Sequence, residues 1–339
     1  MSSDNDNIPK PLICGAHDRY NLHLYRLATP LLFRIEPERA HALGMSLMRL
    51  VPAVNIDDPS LQVKTKFGVL RNPIGLAAGY DKTASHLSSI ERLGFGYLIA
   101  GTVTNDPWPG HPKPRIVRYP SDKTMVNALG FPNPGVDVFI ENLKRQKVKV
   151  PVIGSVSGRE LESITKCYEK LQPHVAGIEL NLSSPNTAKL KDFRELESFK
   201  ELTQSMRPLK RKPTYLKIPP FIDENQFSKI LELVKFWASL GFDGVTAANA
   251  IPVNEPRVSI KTGGFSGPPL FPNLLRAIKI IRQNVPQDFE INAIGGISNA
   301  ENVSAALSAG ANTTQIYTAL VFEGPGLIKQ ILNDLRKKK

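Results

Sequence analysis

Lys217 lies near the end of the short apolar run Tyr215-Leu216-Lys217-Ile218, where a charged residue is unexpected. A lysine at the end of a buried strand is costly unless it meets negative charge. An anionic ligand is one source of such charge, so Lys217 is a candidate binding residue. The alternative is a lysine whose strand ends just before it and whose side chain reaches water.

Two glycine-rich segments have the composition of phosphate-binding turns. They are Gly263-Gly264-Phe265-Ser266-Gly267 and Ile294-Gly295-Gly296-Ile297-Ser298, and a helix is expected from Ala300 after the second. Backbone amides without a nearby Cβ can approach a phosphate, and a helix N-terminus adds a favourable field. Each segment alone is more typical of a tight turn, but together, after the sixth and seventh expected strands, they predict a phosphate cradle.

Small, amide, hydroxyl or lysine side chains follow nearly every apolar run from residue 74 onward. They are Ala78-Gly79-Tyr80-Asp81-Lys82, Thr102, Asn181 with Ser184 and Asn186, Lys217, Asn249, Gly295-Gly296 and Tyr317-Thr318. A barrel with a purely structural role does not need them. Their recurrence predicts an active site assembled from the ends of several strands.

The elements that must position these side chains are short strands that alternate with helix-period stretches. The expected strands are Ile74–Ala78, Tyr97–Gly101, Val152–Ser155, Gly177–Leu182, Thr214–Lys217, Gly244–Ala248, Glu290–Ile294 and Thr313–Tyr317. Eight strand–helix repeats predict an α/β fold, a (β/α)8 TIM barrel. No Gly-x-Gly-x-x-Gly turn follows the first strand, which argues against a dinucleotide-binding open sheet.

Two segments depart from the repeat. Residues 102–140 are rich in proline and glycine, and we expect an insertion at the top of the barrel with no helix before Val136. Residues 20–51 are expected to form two amphipathic helices broken at Pro30 and Pro37. Their apolar surface and arginines are compatible with a cap packed on the barrel or with a device that lies on an anionic membrane.

Charge and cysteine usage exclude several classes of function. The net charge of +12 favours anionic partners. No nucleic-acid-binding module or interleaved basic and aromatic pattern occurs, so nucleic acid is not expected. Two cysteines, Cys14 and Cys167, form neither a disulfide framework nor a metal cluster, and they indicate a reducing cytoplasm. The sequence has no uninterrupted apolar run of about 18 residues, so a transmembrane helix is not expected.

Across residues 20 to about 327 the chain resembles the class 2, quinone-dependent dihydroorotate dehydrogenases. The motifs that carry the resemblance are Asn181-Leu182-Ser183-Ser184-Pro185-Asn186-Thr187, the segment from Gly75 to Lys82, the segment from Tyr317 to Gly326, and Gly101–Thr104 with Pro109–Arg115. These motifs are long and ordered, so a chance match is excluded in practice.

The resemblance implies FMN-dependent oxidation of dihydroorotate to orotate in pyrimidine biosynthesis, with no metal. Ser184 is the implied base at the substrate's C5, while a hydride leaves C6 for flavin N5. An unassisted serine is a poor base at neutral pH, so a relay through Thr187 or an ordered water is needed. The implied substrate contacts are Lys82, Asn127, Gly130, Phe131, Asn181, Asn186 and Asn249. The implied FMN contacts are Ala78, Gly79, Thr102, Ser155, Asn181, Lys217, Ala248, Ser266, Gly267, Gly295, Gly296, Tyr317 and Thr318.

The resemblance also gives the N-terminal helices a role. It implies a tunnel for a lipid quinone, lined by His41, Arg118 and Tyr317. We therefore expect residues 1–60 to be a membrane-associating tunnel segment and residues 61–339 to be the FMN-binding barrel. The protein is expected to be peripheral, on the cytoplasmic side of the cell membrane, without a required protein partner.

Departures from the family pattern, among them Pro132 where an asparagine is common, keep other functions open. Ser155 replaces a flavin-contacting asparagine, and Ala248 and Ala250 flank Asn249 where threonines are usual. Each lost neutral hydrogen bond is worth about 0.5–1.5 kcal/mol, which alters affinity without abolishing a site. One alternative is another FMN barrel oxidoreductase, acting on a related cyclic amide or using a different acceptor. The other is a non-enzymatic or phosphate-binding barrel whose basic surface binds an anionic macromolecule.

Overall fold

The computed structural model describes Tyr25, residues 27–183 and residues 195–337. The strands are β1 (Val63–Thr65), β2 (Gly68–Leu70), β3 (Ile74–Leu76), β4 (Tyr97–Val103), β5 (Ile116–Tyr119), β6 (Thr124–Asn127), β7 (Val152–Val156), β8 (Gly177–Asn181), β9 (Thr214–Lys217), β10 (Gly244–Ala247), β11 (Ile251–Asn254), β12 (Thr262–Ser266), β13 (Glu290–Ile294) and β14 (Thr313–Ile316). The helices are α1 (Pro37–Leu47), α2 (Leu87–Glu91), α3 (Val136–Arg145), α4 (Leu161–Leu171), α5 (Leu196–Met206), α6 (Glu224–Ser239), α7 (Phe271–Asn284), α8 (Ala300–Ser308), α9 (Thr318–Glu323) and α10 (Leu327–Lys337).

Eight parallel strands close into a barrel in the order β3-β4-β7-β8-β9-β10-β13-β14. They are the eight strands expected from the apolar runs, each with ends within about two residues of the expectation. The runs are continuous in hydrophobicity because parallel strands are covered by helices on the outside and by side chains within. The (β/α)8 prediction is confirmed.

The N-terminal end of the barrel is closed by the antiparallel hairpin of β1 and β2. Phe67 at its turn packs against Tyr97 and Tyr215, with ring centroids 5.2 and 5.7 Å apart. These aromatic side chains are buried inside the barrel. Closure at this end leaves the opposite mouth as the accessible one.

The mouth carries a four-stranded antiparallel sheet in the order β11-β12-β6-β5. Residues 102–140 therefore form an insertion, as expected, but one that contains two strands that the proline and glycine content concealed. The expectation of a turn at Gly263–Gly267 was wrong, because Thr262–Ser266 is strand β12 and only Gly267 follows it. A Cβ on Gly263 would lie 2.4 Å from Val126 Cγ1, so the glycine permits close pairing with β6.

The N-terminal segment forms two helical stretches, residues 27–32 and α1. Pro30 lies within the first stretch, so the expected break there was wrong. The break falls at residues 33–36, and Pro37 begins α1 at a position where its missing N–H is not needed. Glu36 caps α1 by accepting from the backbone N–H groups of Glu38 and Arg39.

Side chains of the barrel insertion hold this segment in place. The Arg115 guanidinium donates to both carboxylate oxygens of Glu38, at 3.1 and 2.7 Å. Burial works against ionisation of Glu38, but the hydrogen bond and charge of Arg115 hold the pKa of its carboxyl below the usual value. Met45 and Met48 belong to the same buried cluster as the barrel core. The segment is thus packed directly on the barrel.

Candidate active site

A cavity at the C-terminal mouth of the barrel, the barrel-mouth cavity, gathers nearly all of the described site residues expected from the sequence. Those that line it are Ala78, Gly79, Lys82, Thr102, Asn127, Gly130, Phe131, Asn181, Lys217, Ala248, Asn249, Ser266, Gly267, Gly295, Gly296, Tyr317 and Thr318. They come from seven barrel strands and from the antiparallel sheet. Active sites of this fold lie at this face because the strand-to-helix loops converge there.

Three of the expected residues that the structure describes lie elsewhere. His41 and Arg118 line a second cavity, described below. Ser155 is fully buried and lies beneath Thr102 rather than on the cavity wall. Ser184 and Asn186, together with the candidate relay Thr187, lie outside the described residues.

A chain of polar side chains runs beneath the cavity wall. Asn181 Nδ2 donates to Thr102 Oγ1 at 3.0 Å, and that oxygen lies 2.9 Å from Ser155 Oγ. Ser155 in turn donates to Glu179 Oε1 at 3.0 Å, and the same oxygen is 3.8 Å from Lys217 Nζ. All of these side chains are buried. Lys217 therefore meets a carboxylate inside the barrel, as its position demanded.

A second set of hydrogen bonds fixes the chain at the end of β8. Ser183 Oγ donates to Asn181 Oδ1 at 3.0 Å and accepts from Asn249 Nδ2 at 2.9 Å. Asn249 Oδ1 accepts from the backbone N–H of Ala250 at 2.8 Å. The amide side chains of Asn181 and Asn249 and the hydroxyl group of Ser183 are thus held in fixed orientations.

The loop after β3 presents Lys82 to the cavity. Asp81 shapes this loop, since its carboxylate accepts from the backbone N–H groups of Thr83, Ser85 and His86. Burial lowers the pKa of Lys82 to about 8, and the carboxylate of Glu38 works against this shift. A buried ammonium of this kind gains from an anionic ligand that restores its solvation.

The end of the cavity that was expected to bind phosphate is formed by the backbone of glycine residues. Gly296 has a φ of +73°, and a Cβ there would lie 2.6 Å from the backbone nitrogen of Phe271. Gly295 has a φ of +138°, a conformation that other residues rarely adopt. Thr318 Oγ1 donates to Ser266 Oγ at 3.0 Å across the same end. Helix α8 begins at Ala300 as expected.

A second cavity, the apolar cavity, lies between the N-terminal segment and the barrel. Its walls are mainly leucine, alanine, valine, methionine and proline, and it contains His41, Arg118 and Tyr317. The two cavities share Lys82, Met125, Leu129 and Tyr317. Ligands in the two cavities would therefore be separated by no more than one layer of side chains.

The polar groups of the apolar cavity are held in fixed orientations. Arg118 Nη2 donates to the carbonyl oxygens of Phe33 and Ile35, and its guanidinium lies 4.6 Å from the centre of the Phe33 ring. His41 Nε2 is 2.9 Å from the carbonyl oxygen of Tyr80, so this nitrogen carries the hydrogen. Burial lowers the pKa of His41 to about 4, so the ring is neutral at physiological pH.

The sequence reasoning missed Glu179 below the cavity and Gln315 on its wall. Glu179 lies two residues before Asn181 in β8, and Gln315 lies two residues before Tyr317. Side chains at this spacing share a face of a strand. A polar residue at this spacing in a buried strand was the signal that could have identified both.

Comparisons with known proteins identify the family of this chain. A family model described as dihydroorotate dehydrogenase matches residues 60–338. A Coxiella burnetii (strain Dugway 5J108-111) protein named dihydroorotate dehydrogenase (quinone) is 35% identical over 342 residues, covering 92% of this chain and 96% of that protein. An Acinetobacter baumannii (strain SDF) protein of the same name is 33% identical over 335 residues, covering 91% of this chain and 98% of that protein.

A solved structure has the same fold. It is the crystal structure of DHODH from Eimeria tenella in complex with ferulenol, which superposes with a TM-score of 0.81 at 24% identity and covers 92% of this chain and 94% of that chain. The barrel, the site at its mouth and the extent of the sequence match lead to one assignment. The chain belongs to the dihydroorotate dehydrogenase family.

Proposed function

We propose that this chain oxidises dihydroorotate to orotate in pyrimidine biosynthesis and uses a lipid quinone as the final electron acceptor. The observation that carries the proposal is the pair of adjoining cavities, one polar and one apolar, with Lys82 and Tyr317 in both walls. A polar substrate and an apolar acceptor then approach a common centre from two sides. The names of the relatives, dihydroorotate dehydrogenase (quinone), support the same pairing.

The barrel-mouth cavity fits the FMN on which this family depends. Its glycine end, with Gly267, Gly295 and Gly296, offers backbone that can approach a phosphate closely. Ser266 and Thr318 add hydroxyl groups at that end. The remaining contacts are assigned to Ala78, Gly79, Thr102, Asn181, Lys217, Ala248 and Tyr317, with Ser155 acting through Thr102. Bound FMN supplies a two-electron acceptor that takes a hydride and later returns electrons singly or in pairs.

Amide groups and one lysine hold the substrate in this proposal. Lys82 faces its carboxylate, while the side chains of Asn127, Asn181 and Asn249 donate to and accept from its cyclic amide edges. Gly130 and Phe131 form the adjacent wall, and Asn186 is assigned to the same set. The assignment follows from amides that can satisfy a donor and an acceptor on one ligand edge.

Ser184 is the proposed base at C5 of the substrate. A serine hydroxyl is weak in this role, so its position has to compensate for its pKa. The hydrogen bonds from Asn249 to Ser183 and from Ser183 to Asn181 hold the preceding residues in a fixed direction. That orientation supports proton removal from one face of the ligand while the hydride leaves the other carbon.

The apolar cavity is the proposed quinone tunnel. Its walls suit an isoprenoid chain, while Arg118 can donate to a quinone carbonyl oxygen. His41 is neutral and half-buried, and its ring packs edge-on against Tyr80 with centroids 5.0 Å apart. Tyr80 packs in the same way against Tyr317, with centroids 5.4 Å apart. This aromatic row connects the tunnel with the barrel-mouth cavity.

We place the N-terminal segment, residues 1–60 in the proposed division, on the membrane surface. Leu27, Leu31 and Leu50 are 78%, 67% and 71% exposed, and Arg34 and Arg39 of the same segment are exposed as well. Exposed apolar side chains and exposed arginines on one segment suit a helix that lies in an anionic interface. No helix among the described residues has the length and hydropathy to cross a bilayer. A peripheral position on the cytoplasmic side, without a required protein partner, completes the proposal.

One alternative has a specific observation in its favour. Ala248 and Ala250 line the barrel-mouth cavity with methyl groups, and Ser155 contributes its hydroxyl only below the wall. A site with fewer hydroxyl contacts can accept a related cyclic amide or another electron acceptor. The second candidate is therefore another FMN-dependent barrel oxidoreductase.

Anaerobic titration of the purified yellow protein separates the two candidates. Dihydroorotate should bleach the flavin absorbance, and a ubiquinone or menaquinone analogue should restore it faster than fumarate or NAD. Bleaching without preferential reoxidation by quinone would favour the alternative acceptor. A flavin that dihydroorotate does not reduce would exclude the proposed substrate.

A further inference from the structure

Glu179 is a fully buried acidic residue directly below the barrel-mouth cavity. Its Oε1 accepts a hydrogen bond from Ser155 Oγ at 3.0 Å and lies 3.8 Å from Lys217 Nζ. Its Oε2 has no hydrogen-bond partner among the described residues. None of the roles assigned above to the wall of the cavity involves this carboxyl group.

A carboxyl group in this position requires an explanation. Burial of a carboxylate is costly unless a positive charge and hydrogen bonds compensate it. Lys217 is the cation within reach, and its side chain is only 5% exposed. The charges of the two groups therefore compensate one another, and the Lys217 ammonium on the cavity wall has a carboxylate behind it.

Burial keeps this pair from being screened, since the side chains of Lys217 and Glu179 are 5% and 0% exposed. Interactions between charges are stronger in such a buried environment than in water. A change of charge at Glu179 is consequently felt at the cavity wall.

We propose that Glu179 is a positioning residue that offsets the charge of Lys217 and thereby sets the reduction potential of the bound FMN. This inference rests on the proposed function for the presence of FMN, and it adds a residue that does not itself touch the cofactor. The pair contributes no net charge below the cavity wall, whereas Lys217 alone would contribute one positive charge.

The direction of the effect follows from electrostatics. Reduction of the flavin at neutral pH builds up negative charge on its ring, and a nearby positive charge favours the reduced form. Removal of the negative charge at Glu179 leaves the positive charge of Lys217 uncompensated. The reduction potential of the bound FMN should then rise.

The test is a spectroelectrochemical titration of the FMN-loaded protein with redox mediators. In Glu179→Gln, which keeps the size and one acceptor oxygen, the ratio of reduced to oxidised FMN at a fixed potential should rise roughly tenfold. Glu179→Asp keeps the charge and should restore a ratio close to that of the unaltered protein. Glu290→Gln is the matched control, since Glu290 is another buried barrel carboxyl, at the start of β13 and hydrogen-bonded to Tyr215.

Ser155→Ala separates charge from hydrogen bonding, because it removes the donor to Glu179 while leaving both charges in place. Its shift should be smaller than that of Glu179→Gln. An unchanged ratio in Glu179→Gln, or an equal shift in Glu179→Asp, would overturn the proposal, and so would an equal shift in Glu290→Gln. The titration contains neither dihydroorotate nor quinone, so failure of the proposed reaction would leave its result intact.

Discussion

The barrel-mouth cavity and the apolar cavity share a wall but hold their polar groups in opposite ways. In the barrel-mouth cavity, side chains such as Asn181 and Thr102 fix one another through direct hydrogen bonds. In the apolar cavity, Arg118 and His41 are instead held by backbone carbonyl oxygens and surrounded by aliphatic side chains. Hydrogen-bonding groups in fixed orientations suit a small polar ligand. A large apolar surface with a few polar contacts suits a long apolar ligand.

This difference has a consequence for substitutions. Loss of one directional contact at the barrel mouth removes a large part of the interaction with a small ligand. Loss of one contact in the apolar cavity leaves most of the buried area of a long ligand unchanged. The two half-reactions should therefore respond independently to changes in the two regions, except at the four residues that belong to both, Lys82, Met125, Leu129 and Tyr317.

The largest effect should come from Ser184→Ala. Reduction of the flavin by dihydroorotate should slow by about 10²–10⁴-fold, the usual contribution of a general base. Stopped-flow absorbance measures this step, and quinone should still reoxidise the chemically reduced protein at the original rate. Ser183→Ala is the neighbouring control and should cost less. Loss of bound FMN in Ser184→Ala would instead identify the residue as structural.

The converse change is Arg118→Leu in the apolar cavity. Reoxidation by a quinone analogue should slow about 10-fold or more, because a charged hydrogen bond is worth about 1.5–3 kcal/mol. Reduction by dihydroorotate should be unaffected. Arg39→Leu is a suitable control because Arg39 is exposed on α1. Equal slowing of both half-reactions would contradict the separation of the two cavities.

The pH dependence of substrate binding tests the shared wall. Lys82 has a pKa lowered to about 8 by burial, so it is protonated below that pH and neutral above it. The KM for dihydroorotate should rise about tenfold per pH unit well above pH 8, while kcat changes less. Steady-state kinetics between pH 6 and 10 measure both. Lys82→Arg, which stays charged, should flatten the profile; an unchanged profile would rule out Lys82 as the carboxylate partner.

The outer face of the N-terminal segment should affect membrane binding alone. Leu27→Ser with Leu31→Ser should weaken binding to anionic vesicles about tenfold, since each leucine loses apolar area that the interface would bury. Stability should change little because both side chains are exposed. Val69→Ser is the matched control, since Val69 is 62% exposed in the hairpin at the other end of the barrel. Vesicle cosedimentation measures the binding. Equal binding of all variants would contradict the membrane proposal.

The smallest effect should follow from Ala250→Thr. The added hydroxyl faces the barrel-mouth cavity and should lower the KM for dihydroorotate a few-fold, in line with about 0.5–1.5 kcal/mol for a neutral hydrogen bond. Quinone reoxidation should stay the same. A gain with a different cyclic amide but none with dihydroorotate would favour the alternative substrate.

The sequence by itself determined the barrel and most of its mouth. Continuous apolar runs predict parallel strands buried on both sides, and the residues that follow them must meet at one end because parallel strands all point the same way. Lys82, Asn181, Lys217 and Asn249 were therefore predictable as neighbours. Local helix signals were also recognisable, although Pro30 misled because it lies inside a helical stretch and not at the end of one.

Only the tertiary structure decided which groups satisfy one another. The antiparallel sheet joins residues 116–127 to residues 251–266, and its glycine-rich strand β12 looks like a turn when its partners are unknown. Glu179 and Lys217 lie far apart in sequence, and their pairing depends on the register between adjacent barrel strands. Hydrophobic pattern is a local property that sequence records directly, whereas charge compensation depends on distances that only the closed barrel defines.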